Sequence, residues 1–291
     1  SSAASDVYKR QMMDYLQLKK LNCKNCYKCI RHCPVKSIKF SGNQANIIND
    51  ECILCGTCFV VCPQNAKQIR NDVDKVREAI SKGKRVVASI APAFSANYKG
   101  VTIASMQDAL KRLGFYIAEE TAIGAQLVTS EYERLIKDGG QNVIISSCCN
   151  TVNTLIQKYY PGAVKYLADV LSPMQAHCQK LKDEYPDCYT VFIGPCISKK
   201  EEADKYEGLV DTVLTFEELT EWLNQEGIEF RSVADTVEKG LTRLYPTSGG
   251  ILRTMSRNSE RYSYLSVDGT DNCIACLLYT SPSPRDRQKS R

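Results

Sequence analysis

Several things this 291-residue sequence lacks narrow its reading. No apolar run approaches the roughly 20 residues that a helix needs to cross a bilayer, so a membrane partner is not expected. No secretory signal precedes the first cysteine. Without one, a disulfide framework is a poor explanation of the 15 cysteines, and the cytoplasm, a reducing compartment, is the expected setting. Histidine is scarce: His32 lies in a short loop between cysteines and His177 in a predicted helix, and neither is read as a ligand. The single tryptophan, Trp222, falls in a predicted helix and is read as core. Net charge is also small. Of the formal +5, Asp6, Lys9 and Arg10 at one end and Arg285, Asp286, Arg287, Lys289 and Arg291 at the other contribute +4, leaving +1. A nucleic-acid partner is therefore not expected. Residues 1–11 and 277–291 have no apolar periodicity and are expected to be adapter-derived tails that carry no fold.

What is present is cysteine in two copies of one run. Cys23, Cys26, Cys29 and Cys33 precede Pro34, and Cys52, Cys55, Cys58 and Cys62 precede Pro63, at an offset of 29 residues. Three thiolates spaced two residues apart can wrap one 4Fe-4S cubane, while the fourth, followed by proline, reaches the neighbouring cluster. The first cluster is then expected to take Cys23, Cys26, Cys29 and Cys62, and the second Cys52, Cys55, Cys58 and Cys33. Zinc ribbons fit less well, because they pair two CxxC knuckles across a longer loop without a third cysteine at the same short spacing. Residues 21–70 resemble a bacterial-type two-cluster ferredoxin, and 12–70 are taken as that domain. A polar helix over 71–85, with Val73, Val76 and Ile80 at helical spacing, reads as a connector.

Beyond it, strands are predicted at 86–94, 142–146, 190–193, 210–214 and near 262–267. Helices are predicted at 105–113, 123–137, 151–159, 198–206 and 216–225. The alternation indicates an α/β domain with a largely parallel sheet, whose ligands sit beyond the carboxyl ends of the strands. Two cysteine motifs fall at predicted strand ends with a helix following: Ser147-Cys148-Cys149 and Pro195-Cys196. Free backbone N–H groups and the helix dipole favour anionic or metal ligands at such places. Taken alone, either motif is more commonly a packed core cysteine, the reading given to Cys178 and Cys188.

Together with the doubled run, these motifs resemble those of the iron-iron hydrogenases over residues 12–276. The similarity rests on SSCCNTV (146–152), GPCISKKEE (194–202), IAPAF (90–94), LSPMQ (171–175) and TSGGIL (247–252). The resemblance implies an α+β ferredoxin-like two-cluster domain followed by an incomplete α/β iron-hydrogenase large-subunit-type domain over 86–276. It implies that Cys149 and Cys196 ligate a third 4Fe-4S cubane attached to a two-iron unit. Cys148 would relay protons beside that unit, Lys199 would hydrogen-bond an iron-bound cyanide, and Glu202 would continue a proton path. The implied reaction is reversible cleavage of hydrogen, with electrons passing through the two ferredoxin clusters to a redox partner such as a ferredoxin.

Departures from the family pattern are Asn150 and Val152 after the cysteine pair and Gly194 where methionine is common. They are expected to loosen the site, as in the divergent, sensory branch that reports to a downstream signalling module. The third cysteine motif is missing, and Cys273 and Cys276 are not taken as its replacement. The chain is accordingly read as an inactive fragment. A non-catalytic electron carrier or cluster-assembly-type relative is the alternative, and a ferredoxin fused to an unrelated α/β domain is a third.

Overall fold

The computed structural model describes residues 15–235, 240–257 and 259–280; the segments 1–11 and 281–291 expected as tails lie outside them. The amino-terminal part is held by two antiparallel pairs. β1 (Leu16–Leu18) pairs with β4 (Lys67–Ile69), and β2 (Ile38–Ser41) pairs with β3 (Gln44–Ile47). Gly42 and Asn43, both at positive φ (56° and 59°), form the hairpin turn, a geometry that suits Gly and Asn. Each cysteine run coils into about one helical turn, α1 (Lys28–His32) and α2 (Thr57–Val60), entered through a left-handed residue, Tyr27 or Gly56. Leu16, Ile38, Ala45 and Leu54 pack around Cys29, Cys33 and Cys58.

α3 (Val73–Ser81) leads into the larger part and buries Val73, Val76 and Ala79, as its helical spacing predicts. There β5 (Val86–Ile90) is followed by α4 (Phe94–Asn97), α5 (Ile103–Arg112), β6 (Ile117–Glu120) and α6 (Ala122–Asp138). Then come α7 (Asn150–Tyr159), α8 (Pro173–Glu184), β7 (Tyr189–Ile193), α9 (Ser198–Lys205), β8 (Thr212–Leu214) and α10 (Phe216–Gln225). α11 (Gly250–Thr254) and α12 (Thr270–Thr280) complete the described helices. The four strands form one parallel sheet in the order β6-β5-β7-β8. The central strands VVASI and YTVFI are almost wholly buried, as a sheet covered on both faces requires.

Three expectations need correction. Residues 142–146 do not join the sheet. Ile145 makes a single parallel bridge to Leu167, because that partner leaves a 3-10 helix (Pro161–Tyr166) and offers no strand to extend the ladder. Residues 262–267 are irregular and largely exposed, with Leu265 at 73%, so their alternating pattern has no neighbour to pair with. β6 is not expected from the sequence, since IAEE carries two acids. They are accommodated because Glu119 meets His177 and Glu120 meets Arg243.

The two parts pack closely. Ile53, from the second cysteine run, is buried with Leu155, Ile156 and Leu277, and burying such a side chain is worth about 2 kcal/mol. Leu277 belongs to α12, which runs across the expected tail boundary at 276/277. Lys158 Nζ donates to the carbonyl of Cys52 at 2.7 Å, and Tyr159 Oη donates to that of Glu51 at 2.6 Å. Among the described residues no helix is long and apolar enough to cross a membrane.

Candidate metal centre

The eight cysteines of the two runs gather in the small domain, and their mutual electrostatics shows who neighbours whom. Burial pushes the Cys29 thiol up; the Lys67 ammonium opposes this, while Cys62 and Cys23 add to it. Burial likewise raises Cys52, opposed by the Leu54 N–H and reinforced by Cys55 and Cys33. Cys58 is pushed up to about 12, by burial first, with Cys52, Cys55 and Cys29 adding. The fourth cysteine of each run thus stands beside the other run's triplet. Clustered, desolvated thiols repel as thiolates, and a cationic iron–sulfur core removes that cost by displacing their protons. N–H donors aimed at sulfur fit the same occupant: Leu54 N to Cys52 Sγ at 3.4 Å and Ala66 N to Cys62 Sγ at 3.3 Å. Lys67, 3% exposed, supplies a buried positive charge near Cys29 and Cys58.

The SCC and PC motifs, 47 residues apart in sequence, meet at the amino ends of α7 and α9. Desolvation raises the Cys149 thiol, the Val152 N–H counters it, Cys196 adds to it, and Lys199 and the Thr151 N–H counter it again. Cys149 Sγ therefore accepts from the first turn of α7 and faces Cys196, an arrangement suited to a thiolate ligand. The Cys196 and Ser198 side chains lie 3.1 Å apart. Burial raises Cys273, with Cys149 the next contributor and Cys276 after it. Sequence reasoning leaves Cys273 outside the site; α12 brings it within electrostatic reach of Cys149.

Lys199 and Glu202 are both buried and joined at 2.5 Å, and Lys199 Nζ also donates to the Cys148 carbonyl at 3.2 Å. Among the described residues, two of its three donors are thereby used and one is left. Glu202 also accepts from Ser172 Oγ, the amino cap of α8 within LSPMQ. Asn150 is not a loosening departure: it is 3% exposed, and its Nδ2 donates to the Ser198 carbonyl at 2.9 Å and to Glu201 at 3.1 Å, tying α7 to α9. At Gly194 there is no room for a methionine, since a Cβ would lie 2.7 Å from the Phe192 ring.

Sequence reasoning missed Tyr132. Its hydroxyl accepts from Ser147 N at 2.9 Å and lies 3.6 Å from Cys148 Sγ, and burial followed by Cys148 raises it. Nothing in the sequence pairs a residue of α6 with the SCC motif, so only the fold reveals it. His177 is a satisfied core histidine, between Ser89 Oγ at 2.8 Å and Glu119 at 3.2 Å. His32 is exposed and its Nδ1 lies 2.8 Å from the Lys28 carbonyl oxygen. Trp222, Cys178 and Cys188 are buried in apolar clusters.

Both parts of the chain match known protein families. Residues 15–63 match the 4Fe-4S dicluster domain, and residues 84–275 match the C-terminal domain of the iron only hydrogenase large subunit. The periplasmic [Fe] hydrogenase large subunit of Nitratidesulfovibrio vulgaris is 27% identical over 88% of this chain and 69% of its own length. The cytosolic Fe-S cluster assembly factor NAR1 of Eremothecium gossypii is 30% identical over 52% of this chain and 37% of its own. A solved structure of the [FeFe]-hydrogenase HydA(deltaEFG), which reports stepwise H-cluster assembly, aligns with a TM-score of 0.50 at 24% identity. That alignment covers 61% of this chain and 55% of that one, a likeness of fold. The chain spans 41% to 69% of the length of the curated hydrogenases it matches. With residues 84–275 matched, two thirds of the chain, the protein belongs to the iron-only hydrogenase large-subunit family.

Proposed function

We propose that this chain joins a two-cluster electron wire to a hydrogenase-type site for reversible hydrogen oxidation and proton reduction, or for sensing hydrogen or redox state. The observation that carries this reading is the convergence of Cys149 and Cys196 with the Lys199–Glu202 pair. Cys149 and Cys196 would hold a third cubane, and Cys23, Cys26, Cys29 and Cys62 with Cys52, Cys55, Cys58 and Cys33 the other two. A two-iron unit on the third cubane, when bound, would supply the redox chemistry of hydrogen splitting. Cys148 would hold a proton at Sγ beside it. Lys199 would aim its remaining N–H at an anionic ligand, oriented by Glu202, and Glu202 would pass charge and protons toward Ser172 Oγ. A carrier with no chemistry to perform needs neither the buried ammonium nor its carboxylate.

The second reading, a non-catalytic iron–sulfur carrier or cluster-assembly-type protein, draws on the NAR1 match and on the closed space at Gly194. Anaerobic reconstitution separates the two. Iron and sulfide alone are expected to load about eight irons in the two cysteine runs and about four more where Cys149 and Cys196 hold the third cubane, and variants of either run should lose about four. A chain that binds zinc but no iron–sulfur core overturns both readings. After further loading with the two-iron group, hydrogen–deuterium exchange that is lost in Cys148→Ala supports the first. Full loading without exchange leaves the second.

A further inference from the structure

The two cysteine runs are copies, so the positions that follow them can be compared one to one. At the offset of 29, Cys33 corresponds to Cys62, Ser37 to Ala66 and Ile38 to Lys67. Ile38 opens β2 and, 4% exposed, packs in the small domain's core with Cys29, Cys33 and Cys58. Lys67 opens β4, the matching strand, and is 3% exposed. The second copy thus buries an ammonium where the first buries a hydrocarbon. Strand pairing does not ask for it, since Lys67 stands opposite Leu18.

Three lysines are buried among the described residues, and two of them are paired: Lys199 with Glu202, and Lys200 with Asp72 and Glu218. Lys67 has no carboxylate among the described residues. Its Nζ donates to the Ala45 carbonyl of β3 at 3.4 Å, and two of its three N–H groups have no described acceptor. A buried ammonium in that condition is strongly unfavourable unless an anion compensates it. The candidates within reach are sulfur. Its charge opposes the rise of Cys29 and of Cys58, and the N–H of Ala66, the residue before it, points at Cys62 Sγ at 3.3 Å. Four thiolates on a doubly positive core give a cluster of about −2, and about −3 once it is reduced.

We propose that Lys67 is the shared counter-cation of the two clusters: buried in the core that holds Cys29 and Cys58, it stabilises the reduced form of each and so sets both reduction potentials. This role rests on the cluster assignment above, in which Cys29 belongs to the first cluster and Cys58 to the second. Each one-electron reduction adds a negative charge and moves no bond. A fixed cation nearby favours that added charge, and does so more strongly where water is excluded. Ile38 supplies no charge at the matching position, so one lysine serves both clusters. A purely mechanical role, tying β4 to β3 through the Ala45 carbonyl, would leave the potentials unmoved.

The test uses the full chain, reconstituted anaerobically with iron and sulfide and titrated with dithionite in the presence of redox mediators. Electron paramagnetic resonance follows the reduced clusters. Lys67→Met, which keeps the length and removes the charge, is expected to lower both potentials by about tenfold in the one-electron reduction equilibrium, or about 59 mV. Lys67→Arg, which keeps the charge, should stay near wild type. Lys39→Met, on the neighbouring hairpin and 60% exposed, should move neither cluster. Wild-type potentials in Lys67→Met overturn the proposal, as do a shift confined to one cluster and a Lys67→Arg chain that falls as far as Lys67→Met. Should Lys67→Met lose the iron of the two runs, its retention in Lys67→Arg supports the counter-cation, and loss in both variants overturns it. Wild-type chain that gives no iron–sulfur signal sinks the cluster assignment itself, which separates that failure from failure of the Lys67 role.

Discussion

Lys200 donates to Asp72 at 2.8 Å across 128 residues of sequence, and both side chains are almost wholly buried. The same ammonium reaches Glu218 at 2.9 Å and the Val213 carbonyl at 2.8 Å. Glu218 in turn accepts from the backbone N–H groups of Asp72 and Thr215, the latter through the capping box of α10. One lysine of the second cysteine motif therefore fastens the start of the connector helix α3 and the start of α10 to the helix that carries Lys199 and follows Cys196. Lys200→Met would leave the Glu218 carboxylate buried without its cation and Asp72 with Lys75 and Arg70 alone, a loss of about 3 kcal/mol. Urea unfolding followed by Trp222, on α10, should show it; a change within error would mean that Lys75 and Arg70 compensate fully.

The same cluster sets a pH dependence. Burial alone would raise the Asp72 carboxyl, but Lys200, Lys75 and Arg70 outweigh it and hold it below the ordinary aspartate range. A carboxylate depressed in the folded state contributes stability that is complete above its unfolded value and lost as pH falls through the folded one. Wild-type chain without metal should therefore be more stable than Asp72→Asn at neutral pH. The gap should begin to close below about pH 4. Paired urea titrations at several pH values read this directly, and a gap that widens toward acid would reverse the assignment.

How much of this was legible beforehand differs by residue. The doubled run could be read because a cubane demands short-range spacing, and spacing is a property of sequence. The strands VVASI and TVFI announced themselves because buried parallel strands are continuously apolar. β6 stayed hidden because its two glutamates find partners far off in the sequence, Glu119 a hydrogen bond with His177 and Glu120 an ion pair with Arg243, 58 and 123 residues away. The apolar run at 142–146 misled for the converse reason, since a strand also needs a neighbour. Asn150 read as a defect in one motif, and only the meeting of α7 with α9 shows it as a tie between two. Lys200 looked like the lesser neighbour of Lys199 until its carboxylates were in place.

Gly194 offers a second packing test. A Cβ there would stand 2.7 Å from Phe192 Cε1 and 3.0 Å from Ala91 Cβ, so Gly194→Ala must displace the ring or the backbone. Overpacking of this kind costs about 1–3 kcal/mol. Thermal unfolding should register the loss, and combining it with Phe192→Leu, which shortens the obstructing side chain, should make the second substitution cost less than it does alone. Independent, additive effects would show that the ring does not determine the choice of glycine.

The crossed cysteine assignment gives the cleanest outcome. If Cys62 completes the first cluster and Cys33 the second, Cys26→Ser with Cys62→Ser strikes one cluster twice and leaves the other whole. About four irons should then remain after reconstitution. Cys26→Ser with Cys33→Ser strikes each cluster once and should leave no intact four-cysteine site. Uncrossed runs predict the reverse, with the first pair of substitutions damaging both clusters and the second sparing one. The proximity of Cys29 to Cys62 and of Cys52 to Cys33 favours the crossed result. Iron analysis and the spectrum of the reduced chain decide it, because the two schemes exchange which double variant keeps a complete cluster.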